Sequence, residues 1–237
     1  MTATLIPVEW SAPSNVQAFV STRNYQEHDF NLATHVGDDL NHVFYNRQIL
    51  KEILSLPAEP VWLEQIHGCE ACELPLKNQS IADASYTNQQ GQVCAILTAD
   101  CLPVLLCDSN GEKVAAIHAG WRGLANGVIE TCFKQAGFLP NKTLAYLGPA
   151  ISQKAFEVGE EVRDEFLKYN PISEKAFVPH GEKWLADLYL LATQRLNALG
   201  VSQISGGQFC TFSQPDLFYS YRRDKQTGRM ATLIWLK

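Results

Sequence analysis

Two apolar segments follow each other closely in Val93-Cys94-Ala95-Ile96-Leu97-Thr98-Ala99-Asp100-Cys101-Leu102-Pro103-Val104-Leu105-Leu106-Cys107. They predict strands at Val93–Thr98 and Pro103–Cys107, and a third apolar run predicts a strand at Val114–His118. Asn110-Gly111 separates the last two strands and is typical of the turn in a β-hairpin. Because both strands of this hairpin are almost wholly apolar, we expect both of their faces to be buried.

The rest of the chain mixes strand-like and helix-like periods. Apolar residues recur at helical spacing over Asp39–Leu54, and Asp39 can cap that helix. Further elements are predicted as helices Trp121–Gly137, Gly159–Tyr169 and Trp184–Leu199 and as strands Val16–Thr22, Val61–His67, Leu144–Leu147 and Met230–Leu236. Since helices and strands do not alternate strictly, the order favours an α+β domain over a doubly wound sheet.

Length and charge narrow the class of protein. The chain has 237 residues, 46% of them hydrophobic, and it contains no repeat, low-complexity tract or linker, so we expect a single domain over 1–237. The net charge is −6, and the only dense basic cluster comprises Arg222, Arg223, Lys225 and Arg229. That cluster is too small for a nucleic-acid groove but large enough for one phosphate. We therefore expect a small-molecule substrate and no nucleic-acid partner.

The compartment is predicted from the first residues and the cysteines. Residues 1–10 lack the basic and apolar regions of a secretory signal, and no apolar stretch reaches the roughly 20 residues that span a bilayer. The seven cysteines lie mostly in apolar runs, as thiols do in a reducing compartment. We expect a cytoplasmic protein without a membrane partner. The sequence leaves the oligomeric state open, and we expect a monomer.

Three residues at the ends of apolar runs indicate a metal site, namely His67, Cys101 and His118. If they converge, one thiolate and two imidazoles supply three ligands of a tetrahedral site and leave the fourth position for water or substrate, as in catalytic zinc sites. Alternatively each residue is packed in the core or ends a strand as an ordinary polar group, because spacing alone does not show convergence. The Cys69–Cys72 pair follows His67 in sequence, and we expect it to be non-catalytic.

The turn after His118 carries a second chemical signal. Gly120 and Gly123 permit close approach of the backbone where a strand leads into a helix, and the N–H groups at the helix start favour an anion. Arg122 can add a bidentate contact to a phosphate. Alternatively the glycines only permit a tight turn, and Arg122 pairs with a surface carboxylate.

Two aspartates and one aromatic stretch complete the candidates. Asp100 precedes Cys101, and Asp83 begins a polar segment. A carboxylate beside a metal ligand can orient a histidine or act as a general base, but it can equally cap a turn. Our candidate for the base is Asp100. The stretch Phe218–Arg223 places aromatic rings beside cations and can line a pocket for a flat, polar or anionic ligand. Alternatively its arginines lie at a strand end with their charges in solvent.

Six motifs occur in order along the chain, and two more precede them. The six are Gln65–Gly68, Thr98–Val104, His118–Gly123, Leu147–Ile151, Phe156–Gly159 and Ser220–Arg223, and the earlier ones are Asn31-Leu32 with Val36–Asp39, and Asn46-Arg47. With these motifs the chain resembles, over nearly its whole length, the YfiH/YlmD family, also called polyphenol oxidase or laccase-domain proteins. One departure is Arg23–His28, where the family often has a Gly-Gly-Val-Ser-like turn, so the shape of the N-terminal loop stays open.

The resemblance implies a fold, a metal and several activities. The fold is a single α+β domain in which mixed β-sheets form a sandwich-like core flanked by helices. The metal is a zinc ion held by the residues matching His67, Cys101 and His118. The activities are purine nucleoside phosphorylase action on adenosine, inosine and S-methyl-5′-thioadenosine, adenosine deamination, copper-dependent polyphenol oxidation, and editing of a UDP-muramic acid conjugate for peptidoglycan.

The numbers of histidines and methionines distinguish between these activities. A multicopper laccase needs several histidine-rich sites, whereas the chain has six histidines. A single copper site usually adds a weak methionine ligand, for which Met1 and Met230 are the only candidates. We therefore expect Zn(2+) rather than Cu(2+). Phosphorolysis needs an anion site, for which Arg47 and Arg222 join Arg122 and its glycine turn as candidates.

Three further interpretations stay open. A zinc-activated water can deaminate a purine or hydrolyse an amide bond in a cell-wall precursor. Cys101 can instead be the nucleophile of a metal-free hydrolase, activated by His67 or His118. The zinc can also be structural, with Cys69 or Cys72 as a fourth protein ligand.

Overall fold

A computed structural model of the protein describes residues 5–76 and 81–237. The strands in this part of the chain are β1 (Leu5–Pro7), β2 (Val16–Ser21), β3 (Asn24–Tyr25), β4 (His28–Asp29), β5 (Val61–Trp62), β6 (Ala71–Glu73), β7 (Ala84–Thr87), β8 (Val93–Thr98), β9 (Leu102–Asp108), β10 (Val114–Ala119), β11 (Thr143–Leu147), β12 (Glu157–Val158), β13 (Phe177–His180), β14 (Lys183–Ala186), β15 (Gln203–Gly206) and β16 (Met230–Leu236). The helices are α1 (Leu40–Ile53), α2 (Trp121–Asn126), α3 (Val128–Gln135), α4 (Glu160–Tyr169), α5 (Leu188–Ala198) and α6 (Tyr221–Asp224). Among the helices of these residues, none combines the length and the apolar character that crossing a bilayer requires.

Most strands belong to two sheets that mix parallel and antiparallel pairs. The first sheet has five strands in the order β1-β2-β16-β8-β5, and the second has six in the order β15-β11-β9-β10-β7-β6. The parallel pairs are β5 with β8, β6 with β7 and β11 with β15. Smaller sheets are formed by β12-β14-β13 and by β3-β4. The departing segment Arg23–His28 thus contributes to the short β3-β4 hairpin, with left-handed backbone at Gln26 and Glu27.

The two large sheets pack face to face because their strands alternate side chains between two apolar layers. In β9, Leu105 and Cys107 face the first sheet, whereas Val104 and Leu106 pack toward helices α2 to α5. Helix α1 covers the opposite face of the first sheet, where Leu50 is fully buried. All residues of β8, β9 and β10 are buried, which confirms the expectation that the apolar hairpin is covered on both faces. The predicted α+β fold, a sandwich of mixed sheets flanked by helices, is therefore confirmed.

The predicted hairpin joins β9 to β10, but its turn is longer than two residues. Gly111 adopts a left-handed φ of 71°. The Asp108 carboxylate accepts hydrogen bonds from the backbone N–H groups of Glu112 (2.7 Å) and Lys113 (2.8 Å). A side chain therefore satisfies two backbone donors that the ladder leaves unpaired at this end.

Two predicted helices differ from the observed ones. The Trp121–Gly137 helix is wrong as a continuous element, because Gly127 has a φ of 93° and divides it into α2 and α3. The Trp184–Leu199 prediction begins too early, since its first residues pair as β14. Helix α5 begins after Asp187, whose carboxylate accepts a hydrogen bond from the Leu190 N–H. An apolar segment that pairs with a distant strand carries no local sign of that pairing.

The Val61–His67 strand is also shorter than predicted. Strand β5 covers only its first two residues, and Glu64 then forms a single parallel bridge with Ile81. His67 has a φ of 61°, so the chain bends at the candidate ligand. By contrast, α1 agrees with the predicted helix, and the Asp39 carboxylate caps it.

Candidate metal centre

The His-Cys-His cluster consists of His67, Cys101 and His118, which come from three separate segments. His67 follows β5, Cys101 joins β8 to β9, and His118 lies in β10. One ligand atom from each residue lies within 4.8 Å of the others, and Cys101 Sγ is 3.8 Å from His67 Nε2. In residues 5–76 and 81–237 this is the one group of three or more His, Cys, Asp or Glu side chains that could hold a metal ion. The structure thus supplies the convergence that spacing alone does not show.

Asp83 positions two of the three candidate ligands. Its Oδ1 lies 2.7 Å from His118 Nδ1 and accepts the His67 backbone N–H at 2.9 Å, and its Oδ2 accepts the Gly68 N–H at 2.6 Å. Burial opposes ionisation of Asp83, but the contacts with His118 and Gly68 outweigh it and hold the pKa of the carboxyl below its ordinary value. With Nδ1 engaged, His118 is left with Nε2 as its ligand atom, as in carboxylate–histidine–zinc arrangements.

Gly120 leaves room beside the cluster. A Cβ atom at this position would lie 2.9 Å from His67 Cδ2, 3.1 Å from Cys101 Sγ and 3.5 Å from His118 Nε2. Any side chain would therefore crowd the space in which a shared ion would lie. The sequence predicts a phosphate-binding turn here, whereas an added side chain at Gly120 would meet the candidate ligands themselves.

The electrostatics of the cluster favour a thiolate. Burial disfavours ionisation of Cys101, but the imidazoles of His118 and His67 outweigh burial and lower the pKa of the thiol to about 6. Burial likewise opposes protonation of His118, yet Cys101 and Asp83 raise the pKa of that imidazole. The thiolate is the form of cysteine that binds metals. A metal ion that binds here would replace the proton on His118. A donor set of two nitrogens and one sulfur fits Zn²⁺.

Asp100 lies beside the cluster but is occupied by other contacts. Its carboxylate accepts hydrogen bonds from Thr211 Oγ1 (2.6 Å), Ser220 Oγ (3.0 Å) and the Arg222 backbone N–H (2.6 Å). Asp100 itself has a left-handed φ of 89°, a conformation that is costly for a non-glycine residue. These bonds tie the turn that carries Cys101 to the C-terminal part of the chain. They favour a positioning role for Asp100 over the predicted role as base.

A cavity of about 300 Å³, called here the site cavity, opens onto the cluster. Besides the cluster residues, its lining comprises His35, Gln65, Leu97, Thr98, Ala99, Tyr221 and Arg229. Tyr221 belongs to the stretch Phe218–Arg223 that was predicted to line a pocket, whereas His35, Gln65 and Arg229 were not singled out as site residues. Two features of the sequence could have identified two of them. Arg229 belongs to the basic cluster of the C-terminal segment, and Gln65 belongs to the motif that contains His67. A larger cavity of about 410 Å³ is lined mainly by apolar residues and contains no cluster residue.

The arginines predicted to bind an anion lie outside the lining of the site cavity. Arg222 donates through both terminal nitrogens to the Glu157 carbonyl at 3.0 Å. Arg47 donates through Nε to the Leu32 carbonyl at 2.9 Å. The exposed Arg122 lies over the ring of the neighbouring tryptophan at 4.3 Å. Their assignment as phosphate ligands therefore stays a prediction.

The Cys69–Cys72 pair does not join the cluster. Cys69 Sγ contacts the Gly123 carbonyl at 3.6 Å, and Cys72 Sγ contacts the Ala84 carbonyl at 3.4 Å. Burial and the carboxylate of Asp83 raise the pKa of Cys69, so this thiol favours its neutral form. The contacts of the pair give no support to a fourth protein ligand and favour an open coordination position.

Similar proteins cover nearly the whole chain. Residues 14–237 match the family model described as multi-copper polyphenol oxidoreductase laccase. The chain is 50% identical over 240 residues to a protein of Escherichia coli named purine nucleoside phosphorylase YfiH, and the match covers 98% of each. The crystal structure of the Neisseria meningitidis protein NMB0706 is similar with a TM-score of 0.94 at 44% identity, covering 99% of this chain and 100% of that one.

A more distant solved structure has the same fold. YlmD from Geobacillus stearothermophilus is similar with a TM-score of 0.82 at 26% identity, covering 94% of this chain and 93% of that one. The family resemblance predicted from the ordered motifs is thus confirmed. The chain belongs to the YfiH/YlmD family, whose family model is described as multi-copper polyphenol oxidoreductase laccase.

Proposed function

We propose that this protein is a zinc-dependent purine nucleoside phosphorylase that acts on adenosine, inosine and S-methyl-5′-thioadenosine and also deaminates adenosine. The observation that carries the proposal is the convergence of His67, Cys101 and His118 on a cavity of about 300 Å³, large enough for a small ligand. A relative that is 50% identical over 240 residues carries the name purine nucleoside phosphorylase. Such a reaction on a soluble metabolite fits the cytoplasm.

The residues around the cluster support zinc over copper. A copper site of the blue type adds a weak axial methionine. In this chain Met230 Sδ instead accepts a hydrogen bond from the Tyr219 backbone N–H at 3.1 Å. A multicopper oxidase would need further histidine clusters, and the residues that the structure describes contain one cluster. When bound, zinc would polarise an oxygen or activate a water molecule.

In phosphorolysis the bond between the ribose C1′ and the purine nitrogen breaks, a bond between C1′ and a phosphate oxygen forms, and the purine leaves with a proton. The protein has to hold the nucleoside and the anion in line and keep water away. Leu97 and Ala99 supply apolar surface to the site cavity, and Tyr221 offers a ring beside it. Asp83 fixes the orientation of His118, and Asp100 holds the turn before Cys101 in place. Phosphate binding by Arg47, Arg122 or Arg222 would require their side chains to move toward this cavity.

A metal-free cysteine hydrolase is the second candidate. It is favoured by the separation of 3.8 Å between Cys101 Sγ and His67 Nε2 and by the lowered pKa of the thiol. Metal analysis separates the two candidates. Full activity in zinc-free protein would support the hydrolase. Activity that disappears when zinc is removed would support the zinc enzyme.

The test of the proposed function is inosine cleavage by protein of known zinc content, with and without phosphate. The matched control is His118→Ala, which removes one ligand. We expect release of hypoxanthine that depends on phosphate and is lost in the variant. Absence of release under all conditions would contradict phosphorolysis and direct the search to amide hydrolysis of a cell-wall precursor. Adenosine tested without phosphate reports the deaminase activity separately.

A further inference from the structure

Arg229 is the one arginine in the lining of the site cavity. Strand β16 pairs with β8 so that Met230 lies opposite Thr98, and this pairing brings Arg229 beside the turn that carries Cys101. Its Nη1 donates to the carbonyls of Thr227 (2.7 Å) and Gly228 (3.0 Å), which fixes one edge of the guanidinium. In the described part of the chain Arg229 forms no ion pair with a carboxylate.

His35 lies at the same cavity and in the same positive surroundings. Burial lowers the pKa of His35, and the charges of Arg229 and Arg47 lower it further, so both guanidinium groups lie close enough to affect the imidazole. Burial also lowers the pKa of Arg229, because its cation lies in poorly solvated surroundings. Among the residues that line the cavity there is no aspartate or glutamate. Arg229 therefore supplies a cation to a lining that has no carboxylate, and the charges of Cys101 and Asp100 act on its guanidinium from nearby.

One loop holds these groups in place. Asn31 Oδ1 accepts the Arg229 backbone N–H at 3.0 Å, and the Arg229 carbonyl accepts the Leu32 N–H at 3.3 Å. The Leu32 carbonyl in turn accepts from Arg47 Nε at 2.9 Å. His35 follows in the same loop. The backbone of Arg229 is thus held by Asn31 and Leu32, and its guanidinium is held by the carbonyls of Thr227 and Gly228.

We propose that Arg229, assisted by His35, forms the oxyanion subsite of the site cavity and binds a phosphate group. A partly buried guanidinium without a carboxylate partner is stabilised by an anionic ligand, and its planar N–H groups suit two phosphate oxygens. This assignment rests on the proposed function, in which inorganic phosphate is the second substrate. It replaces the predicted sites at Arg122 and Arg222, which face other partners. The 5′-phosphate of a nucleotide has the same chemistry, and the experiment separates the two sources.

The experiment compares Arg229→Gln and Arg229→Lys with Arg163→Gln in the zinc-loaded protein. Arg163 is the matched control, because it lies on α4, pairs with Glu160 and Glu174 and does not line the cavity. In Arg229→Gln we expect the KM for phosphate to rise at least about tenfold, as for loss of a charge-assisted hydrogen bond, while the KM for inosine changes less than about twofold. Arg229→Lys should show a smaller rise, and Arg163→Gln none.

Direct binding of phosphate, followed by ³¹P NMR titration, gives a readout that does not need turnover. If wild-type protein shows no phosphorolysis but binds phosphate, and Arg229→Gln weakens that binding at least about tenfold, the subsite stands and the proposed function fails. If phosphorolysis occurs and the KM for phosphate is unchanged in folded Arg229→Gln, the subsite is wrong and the function stands. If Arg229→Gln does not fold, the KM for phosphate and the ³¹P NMR titration are measured on His35→Asn and Arg229→Lys instead. Binding of inosine 5′-monophosphate that depends on Arg229, without binding of inorganic phosphate, would also overturn the assignment.

Discussion

Asp83 and Asp100 are two buried carboxylates near the His-Cys-His cluster, and their hydrogen bonds serve different purposes. The oxygens of Asp83 contact the His118 ring and the backbone N–H groups of His67 and Gly68, so they act on the ligands themselves. The oxygens of Asp100 accept from two hydroxyl groups and one N–H of the C-terminal part of the chain. Asp83 therefore orients His118 and raises its pKa, whereas Asp100 joins the turn before Cys101 to the C-terminal part of the chain. What differs is the set of donors that tertiary packing places around each carboxylate.

Asp83→Asn should have the largest effect on the affinity for zinc. Oδ2 accepts the Gly68 N–H at 2.6 Å, so an amide nitrogen there would face another donor, and the His118 ring would lose its charged partner. We expect zinc affinity to fall about 10- to 100-fold, the usual cost of losing a partner of a metal-bound histidine. Competition with a chromophoric chelator measures it. Wild-type affinity in a folded variant would show that Asp83 does not act on the ligands.

Acidification should reduce the affinity for zinc by displacing the metal with protons. The pKa of Cys101 is lowered to about 6 and that of His118 is raised to about 9, so between these values zinc displaces the proton of His118 while the thiolate is already formed. Below pH 6 it also displaces the proton of Cys101. We expect the apparent affinity to fall about tenfold per pH unit from pH 9 to pH 6 and more steeply below.

The same titration sharpens the comparison of the two aspartates. In Asp83→Asn the decline should begin at a lower pH, because His118 loses a carboxylate that raises its pKa. In Asp100→Asn the decline should keep its wild-type position. An affinity that does not change between pH 7 and pH 9 in wild-type protein would contradict the coupling of Cys101 and His118.

Asp100→Asn should change zinc affinity less than about threefold while lowering stability. It weakens three hydrogen bonds to a buried carboxylate, and we expect the free energy of unfolding of the zinc-free protein to fall by about 1.5–3 kcal/mol. Urea titration measures this loss. Turnover that stays intact in the zinc-loaded variant would exclude Asp100 as the general base, whereas loss of turnover at full zinc content would restore that role.

The smallest effect is expected from Cys69→Ser combined with Cys72→Ser. Their sulfur atoms contact the carbonyls of Gly123 and Ala84, not the cluster. Zinc content, measured by atomic absorption, should remain that of the wild type. A lower content would support the alternative of a closed structural site with a fourth cysteine ligand.

The sequence alone anticipates much of the core and the types of ligand. The apolar run of Val93–Thr98 and the hairpin after it contain no polar alternation, and a strand of that kind is stable only between two apolar layers. The positions of Cys101 after β8 and of His118 near the end of β10 also follow from local pattern, whereas His67 lies beyond the short strand β5. Local pattern misjudged the break at Gly127, because a glycine within a helical period is equally compatible with continuation and with a left-handed cap.

Tertiary structure decided how the candidate residues are used. Asp83 contacts His118 across 35 positions of sequence, and Arg229 reaches the cavity only because β16 pairs with β8. Arg222, by contrast, donates its terminal nitrogens to the carbonyl of Glu157. Side-chain type and period are local properties, and they set strands, helices and possible ligands. Which donor meets which acceptor depends on strand order and on packing between distant segments, and no local pattern contains that information.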